Sequence, residues 1–152
     1  MISLVINPDS VRISKSTLST HVFSEIYFQL PGGTFFPEEK WDDFSTIILG
    51  WWLEEAISLT SDRESTFNFM DGPYYVEAKP IDQSCELSFI TNRGDKKQII
   101  HCCRMETSTF LKILISSANL LIRHLPVEAK AMQDSIELNK KMTLLQRHMR
   151  EA

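Results

Sequence analysis

The fold is decided by the run from Pro37 to Leu59, which reads PEEKWDDFSTIILGWWLEEAISL. A proline followed by acidic residues is typical of a helix start, because proline has no N–H to lose there and the helix dipole favours negative charge. Apolar side chains then recur at spacings of three and four, and between Ile47 and Leu53 only Gly50 is not a large apolar residue. The pattern predicts a long helix over residues 37–59, buried against a sheet that its backbone approaches closely at Gly50.

The segments on either side of this helix predict β-strands. Before it, two short extended segments flank the turn residues Asn7–Ser10 and predict a hairpin, and a longer strand is predicted over His21–Leu30. After it, Asp71-Gly72 predicts a tight two-residue turn. The predicted antiparallel meander consists of Ser65–Met70, Tyr74–Lys79, Cys85–Thr91 and Gln98–Arg104.

The last part of the chain predicts two helices. The first is capped by one of Thr107, Ser108 and Thr109 and runs to about Arg123, and the second begins at Pro126. A length of 152 residues fits one domain over residues 1–152. The predicted fold class is therefore α+β, with an antiparallel meander sheet packed against one long buried helix and two C-terminal helices.

Charge is distributed unevenly along the chain. Residues 1–95 contain 15 acidic and 6 basic residues, whereas residues 96–152 contain 5 acidic and 10 basic residues. The acidic part is poorly suited to nucleic acid, because affinity for phosphates depends on lysine and arginine. It favours a cationic protein partner, and the alternative is a solvated acidic face that only aids solubility.

The cysteine count and the apolar segments bear on location. Cys85, Cys102 and Cys103 are an odd number without paired spacing, which favours a reducing cytoplasm over a secreted disulfide framework. The first residues lack the pattern of a signal peptide, and the longest strongly apolar stretch, residues 110–122, contains Lys112 and is too short to cross a bilayer. We expect a cytoplasmic protein without a membrane partner.

Signals for catalysis and for cofactors are weak. His101, Cys102 and Cys103 are adjacent, but on a strand His101 and Cys103 share a face about 7 Å apart, and buried small side chains explain two adjacent cysteines equally well. The four histidines have no metal-ligand spacing, and Gly32-Gly33 lacks the residues of a phosphate loop. We therefore expect no enzymatic activity, no metal and no cofactor.

An acidic cluster is the stronger candidate for a binding surface. Glu38, Glu39, Asp42 and Asp43 fall in the first turns of the predicted helix, on what is expected to be its solvent-exposed side. Such a cluster suits a basic protein partner, and a solvated helix start is the alternative. Tyr74 and Tyr75 point in opposite directions on a strand, so one of them, taken here as Tyr75, is expected to supply an exposed aromatic anchor.

Three segments carry a resemblance to known proteins. Residues 36–44, 48–52 and 69–74, which read FPEEKWDDF, ILGWW and FMDGPY, resemble small bacterial proteins, some of which are similar to immunity proteins of polymorphic or contact-dependent toxin systems. The resemblance covers roughly residues 30–80. It implies a stoichiometric inhibitor, made in the toxin-producing cell, that binds a toxin domain, often a basic nuclease, and neutralises it.

Charge pattern and resemblance together give the leading hypothesis. An immunity protein is expected to block the active site or substrate groove of its toxin through Glu38, Glu39, Asp42, Asp43 and Tyr75. One alternative is a secretion chaperone or adaptor, in which the stripe of Leu138, Met142, Leu145 and Met149 dimerises or holds an effector segment, although an ordinary docked helix also explains that stripe. Another is a small enzyme that uses His101 or the carboxylates. The sequence leaves a monomer and a homodimer open.

Overall fold

The computed structural model describes residues 1–15 and 19–151, and its class is α+β, as predicted. The strands are β1 (Ser3–Ile6), β2 (Arg12–Lys15), β3 (Thr20–Leu30), β4 (Thr34–Phe36), β5 (Asp42–Asp43), β6 (Ser65–Asn68), β7 (Tyr74–Ile81), β8 (Ser84–Arg93) and β9 (Lys96–Glu106). The helices are α1 (Ser45–Thr60), α2 (Thr107–Arg123), α3 (Val127–Lys130) and α4 (Gln133–Glu151).

Strand β3 organises the first, five-stranded sheet. Strand β1 pairs with residues 26–29 of β3, and β2 pairs with residues 20–23, both antiparallel. The predicted β1–β2 hairpin is therefore wrong, although both strands exist. The side chain of Asn7 accepts a hydrogen bond from the backbone of Asp9 and opens a 3-10 turn over Pro8–Ser10, and the Ser10 hydroxyl accepts from the backbone N–H of Glu25 in β3. The turn thus keeps the chain alongside β3.

The second sheet is the predicted meander, in the order β6-β7-β8-β9. Cys85, Leu87 and Phe89 alternate on its buried face, as the sequence pattern predicts. The turn between β6 and β7 is longer than predicted, because its last backbone hydrogen bond joins the Phe69 N–H to the Tyr74 carbonyl and leaves residues 70–73 as the loop.

Helix α1 begins at Ser45, so the prediction that it starts at Pro37 is wrong. The Phe36–Pro37 peptide bond is cis, and Lys40 has a φ of +62°, which no right-handed helix accommodates. Asp42 and Asp43 then form the short strand β5, paired with β3. Residues 37–44 therefore form a loop and the short strand β5 ahead of the helix, and not its first turns.

The core surrounds α1, which contacts β3 and β6 as well as α2 and α4. Trp52 is fully buried, and its ring stacks on Phe28 of β3 and meets the edge of Phe69 at a centroid distance of 5.1 Å. Its indole N–H donates to the backbone carbonyl of Asn68 over 2.7 Å. The same side chain therefore holds α1 against both sheets.

Gly50 faces α4 and not a sheet, which corrects the expectation from the sequence. A Cβ built on Gly50 would have the Lys141 ammonium of α4 as its nearest neighbour, at 3.8 Å, an ordinary van der Waals distance. The amino group of Lys141 in turn lies 3.2 Å from the Glu54 carboxylate of α1.

Replacement of Gly50 by alanine is expected to raise the free energy of unfolding by about 0.5–1 kcal/mol. Alanine has the higher helix propensity, and the space for its methyl group exists. Urea unfolding followed by circular dichroism measures the change. Gly94→Ala provides a matched control, because Gly94 has a φ of +65° and alanine there is expected to destabilise the protein. A destabilised Gly50→Ala would mean that α1 and α4 pack more closely than described.

The C-terminal helices complete the fold. Helix α2 ends at Arg123 as predicted, but its N-cap is Glu106 and no side chain caps it, so the predicted cap by Thr107, Ser108 or Thr109 is wrong. The single second helix predicted from Pro126 is divided into the short α3 and the longer α4. Leu138, Met142 and Leu145 are buried against the body of the protein, so this stripe is not a free surface. In the described residues, no helix has both the length and the apolar character needed to cross a membrane.

Candidate functional site

The structure separates the four carboxylates that the sequence groups together. Glu38 and Glu39 are exposed in the connection between β4 and β5, and Asp42 is half-buried on β5. Asp43 is fully buried, because β5 pairing turns successive side chains to opposite faces of the sheet. The expectation of one solvent-exposed acidic cluster at a helix start is therefore wrong, because none of the four residues lies in a helix and Asp43 is buried.

Asp43 joins the two sheets. One of its carboxylate oxygens accepts from the Phe44 N–H at 2.7 Å, and the other accepts from the indole N–H of Trp41 at 3.0 Å. The second oxygen also accepts from the backbone N–H groups of Met70 and Asp71, at 3.2 and 3.4 Å. Burial raises the pKa of Asp43, while the hydrogen bonds from Trp41, Phe44 and Asp71 lower it. These contacts give Asp43 a structural role.

The sequence segments 36–44 and 69–74 meet at this joint. Trp41 lies against Tyr74 at a ring-centroid distance of 5.2 Å, and Phe36 lies against Tyr74 at 5.8 Å. Gly72 has a φ of +77°, and an added Cβ there would stand 2.8 Å from the Tyr74 ring. The motif residues thus build the contact between β5 and the β6–β7 loop.

The outer face of the five-stranded sheet carries a set of half-exposed acidic and aromatic groups. Along β3, even-numbered side chains from Val22 to Leu30 are buried, and odd-numbered ones face outward. Asp42 is paired with Glu25, and Phe35 is paired with Gln29, so both share this outer face. We call this surface the acidic aromatic face and define it by Glu25, Tyr27, Phe35, Glu39 and Asp42.

Tyr27 is at the centre of the acidic aromatic face. Its ring meets the edge of Phe35 at a centroid distance of 5.7 Å and an interplanar angle of 73°. Burial raises the pKa of Tyr27, and the negative charges of Glu25 and Glu39 raise it further. An aromatic pair bordered by carboxylates is suited to contact a cationic protein surface.

The charges on this face are only partly neutralised. Arg12 donates two hydrogen bonds to the Asp42 carboxylate, at 2.9 and 2.5 Å, and its guanidinium lies 5.6 Å from the centre of the Phe23 ring. The side chain of Asn7 donates to Glu25 at 3.3 Å. Within residues 1–15 and 19–151, no lysine or arginine nitrogen lies within 4.0 Å of the Glu25 or Glu39 carboxylate. Two carboxylates therefore remain available to a partner.

Tyr75 lies on the other sheet. It is half-buried on β7 and faces away from the buried Val76. On the same strand, Glu77 forms an ion pair with Lys97 of β9 at 2.9 Å. The structure therefore does not place Tyr75 among the carboxylates with which the sequence groups it.

The candidate catalytic residues are not arranged as a cysteine nucleophile activated by a base. They are His101, Cys102 and Cys103. His101 packs on the Phe89 ring, and Cys102 is exposed on the opposite side of β9. Burial raises the pKa of the Cys103 thiol, and a raised pKa opposes formation of the reactive thiolate. In the described part of the chain, no group of three histidine, cysteine or acidic side chains is placed to hold a metal ion.

Sequence reasoning missed the outward residues of β3. Glu25 and Tyr27 lie in the strand predicted over residues 21–30, where β-branched and aromatic residues predict a strand without marking its outward face. The signal that finds them is the strict alternation of β3, which puts Tyr27 on the face opposite Ile26 and Phe28.

Comparisons with protein-family models, curated proteins and solved structures found no match for this chain.

Proposed function

We propose that this protein acts by binding, as an immunity protein that neutralises a cognate bacterial toxin domain in the cytoplasm of the cell that makes both. The acidic aromatic face is the proposed contact surface, and occlusion of the active site or substrate groove of the toxin is the proposed mode of inhibition. The observation that carries the proposal is the half-exposed Tyr27–Phe35 pair next to Glu25 and Glu39, two carboxylates without a basic partner in the described residues.

The chemistry of this face favours a basic partner. Tyrosine is among the residues that contribute most to protein interfaces, because its ring buries a large area at a small entropic cost while its hydroxyl keeps a polar contact. Carboxylates around such an anchor accelerate association with a cationic surface and fix its orientation. Basic nuclease domains have such surfaces, since they bind phosphates. The resemblance of residues 30–80 to immunity-type proteins supports the same class.

The secretion chaperone remains the second candidate, in a modified form. Its proposed effector-binding stripe on α4 is buried, so an effector segment would have to bind elsewhere. A chaperone binds an unfolded segment, whereas an immunity protein binds a folded domain. The state of the captured partner therefore distinguishes the two functions.

The proposal is tested by affinity capture from the native bacterium with the tagged protein, at low and at high salt. We expect one basic partner, the C-terminal part of a large secreted protein, to be retained at low salt. Glu39→Lys is expected to weaken binding about tenfold at low salt, and by less at high salt, because the reversed charge is screened. Tyr27→Ala is expected to cost about 1–2 kcal/mol of binding free energy at either salt concentration.

Asp95→Lys is the matched control, since Asp95 is an exposed acid in the turn between β8 and β9. It makes the same change in net charge away from the acidic aromatic face, and we expect it to bind as the unchanged protein does. Equal weakening by Asp95→Lys and Glu39→Lys would contradict the assignment of the face. Capture of an unfolded effector would favour the chaperone.

A further inference from the structure

A surface of opposite charge lies between the C-terminal end of α2 and α4. A groove of about 930 Å³ opens there, and its charged lining residues are all basic: Arg123, Lys130, Lys140 and Arg147. We call it the cationic groove. All four residues are exposed to solvent.

The floor of the cationic groove is apolar. Ile122 and the buried Leu125 line it from the α2 side. From α4 come Ile136 and Leu144, each of which has 38% of its surface exposed. These two residues are eight positions apart, so they lie on one side of the helix, two turns from each other. The groove therefore offers a strip of apolar contact between basic side chains.

The positive charge of the groove is not compensated within the described residues. No carboxylate there lies within 4.0 Å of the side-chain nitrogens of Arg123, Lys130 or Arg147, and Lys140 has only a distant contact, 3.9 Å, with Glu137 on its own helix. Lys141, on the other side of α4, has a closer partner in Glu54. The basic residues of the groove thus have the capacity to pair with acids from outside.

From this geometry we infer that the cationic groove docks an acidic amphipathic helix of a partner protein. The α4 residues that line it run from Ser135 to Arg147, a length of about 18 Å, which matches a helix of about three turns. An apolar stripe of such a helix would cover Ile136 and Leu144, and its acidic flanks would meet the basic side chains. This is the helix-in-groove mode of recognition with charge complementarity.

Charge argues against a second copy of this chain as the occupant. Two α4 helices packed across a two-fold axis would bring the basic residues of both grooves together, and like charges at an interface are costly. The inference goes beyond the proposed immunity function, because the groove belongs to α2 and α4, and the acidic aromatic face belongs to the β3 sheet.

The test uses two synthetic peptides of about 16 residues that are cross-linked to hold a helix. Both have leucine at spacings of three and four. One has glutamate on its flanks, and the other has lysine at the same positions. Fluorescence anisotropy with the full chain is expected to give a dissociation constant about tenfold lower for the glutamate peptide, with the preference declining as salt increases. Amide NMR shifts are expected to localise this peptide at Ile136 and Leu144.

The double variant Arg123→Glu with Arg147→Glu is expected to reduce affinity for the glutamate peptide by at least about tenfold. Lys79→Glu with Arg93→Glu is the matched control, because both residues are exposed on the four-stranded sheet and the charge change is identical. We expect the control to change affinity by less than about twofold.

Three results would overturn the inference: no saturable binding of the glutamate peptide up to millimolar concentration, equal affinity for both peptides, or equal loss in the two double variants. Binding to anionic phospholipid vesicles without binding to the glutamate peptide would also overturn it and would assign the groove to a membrane surface. Each of these outcomes is independent of whether the acidic aromatic face binds a toxin.

Discussion

Replacement of Asp43 by alanine is expected to lower the free energy of unfolding by about 3 kcal/mol. The replacement leaves four N–H groups without their acceptor, those of Trp41, Phe44, Met70 and Asp71. A buried donor without an acceptor costs about 1–3 kcal/mol, and the loss is offset in part because a buried charge is removed as well. Urea unfolding monitored by circular dichroism measures the change.

Two further variants isolate the cause. Asp43→Asn keeps the shape of the side chain but turns an amide nitrogen toward N–H donors, so we expect a loss of about 1–2 kcal/mol. Asp42→Ala removes a neighbouring carboxylate whose ion pair with Arg12 is about half exposed, so we expect a loss below about 1 kcal/mol. An Asp43→Ala protein as stable as Asp42→Ala would contradict the structural role of Asp43.

The stability that depends on Asp43 is expected to decrease as pH increases. Burial raises the pKa of Asp43 above its usual value of 3.8, so the native protein retains this proton to a higher pH than the unfolded chain does. Between the two pKa values the native state binds more protons, and stability therefore declines as pH rises through the native pKa. The unchanged protein should thus exceed Asp43→Asn in free energy of unfolding by less at about pH 7 than at about pH 3.5. A larger excess at about pH 7 than at about pH 3.5 would contradict the raised pKa.

Replacement of Trp52 by alanine is expected to cost about 3–5 kcal/mol, the range for a large buried aromatic side chain. Trp52 is fully buried and contacts Phe28 and Phe69, so its removal leaves a cavity between α1 and both sheets. It also removes the hydrogen bond to the carbonyl of Asn68. Since many domains have only about 5–15 kcal/mol of total stability, the loss is measured by thermal unfolding without denaturant, started at low temperature and followed by circular dichroism.

The neighbouring Trp51 provides the control, since 41% of its surface is exposed. Trp51→Ala is expected to cost about 1 kcal/mol or less, because little apolar surface is lost from the core. Trp52→Phe removes the hydrogen bond to Asn68 and leaves a smaller cavity than alanine does, so we expect a loss between those of Trp51→Ala and Trp52→Ala. Equal losses for Trp51→Ala and Trp52→Ala would contradict the described orientation of α1.

The elements that the sequence predicts well are those set by local periodicity. The alternation of Cys85, Leu87 and Phe89 places them on the buried face of β8, as predicted, and α2 has the predicted span. In both cases the hydrophobic pattern and the tertiary environment favour the same structure, so local reasoning is sufficient.

The start of α1 shows why other elements escape prediction. Pro37 and the acids after it have the pattern of a helix start, but Asp43 binds the backbone of Met70 and Asp71, which are 27 and 28 positions away. Such long-range hydrogen bonds override helix propensity, which contributes only tenths of a kcal/mol per residue. The local pattern of residues 37–44 does not indicate hydrogen-bond partners so distant in the chain.

The candidate site also has some features that the sequence predicts and others that it does not. The sequence predicts an acidic surface that includes Glu39 and Asp42, and it does not predict that β5 pairing brings Asp42 beside Glu25 while it buries Asp43. Tyr27 replaces Tyr75 as the aromatic centre of the carboxylates because β3 and not β7 is the partner of β5. Strand pairing between distant segments decides these positions.

The most direct test of the proposed function is a titration of the captured toxin domain with this protein, measured as the remaining toxin activity. The immunity function predicts that activity declines linearly and vanishes at one equivalent, that Asp95→Lys gives the same curve, and that Tyr27→Ala with Glu39→Lys requires a large excess. Undiminished toxin activity at several equivalents would contradict inhibition. Inhibition that is unchanged by the Tyr27 and Glu39 replacements would contradict the acidic aromatic face as the binding surface.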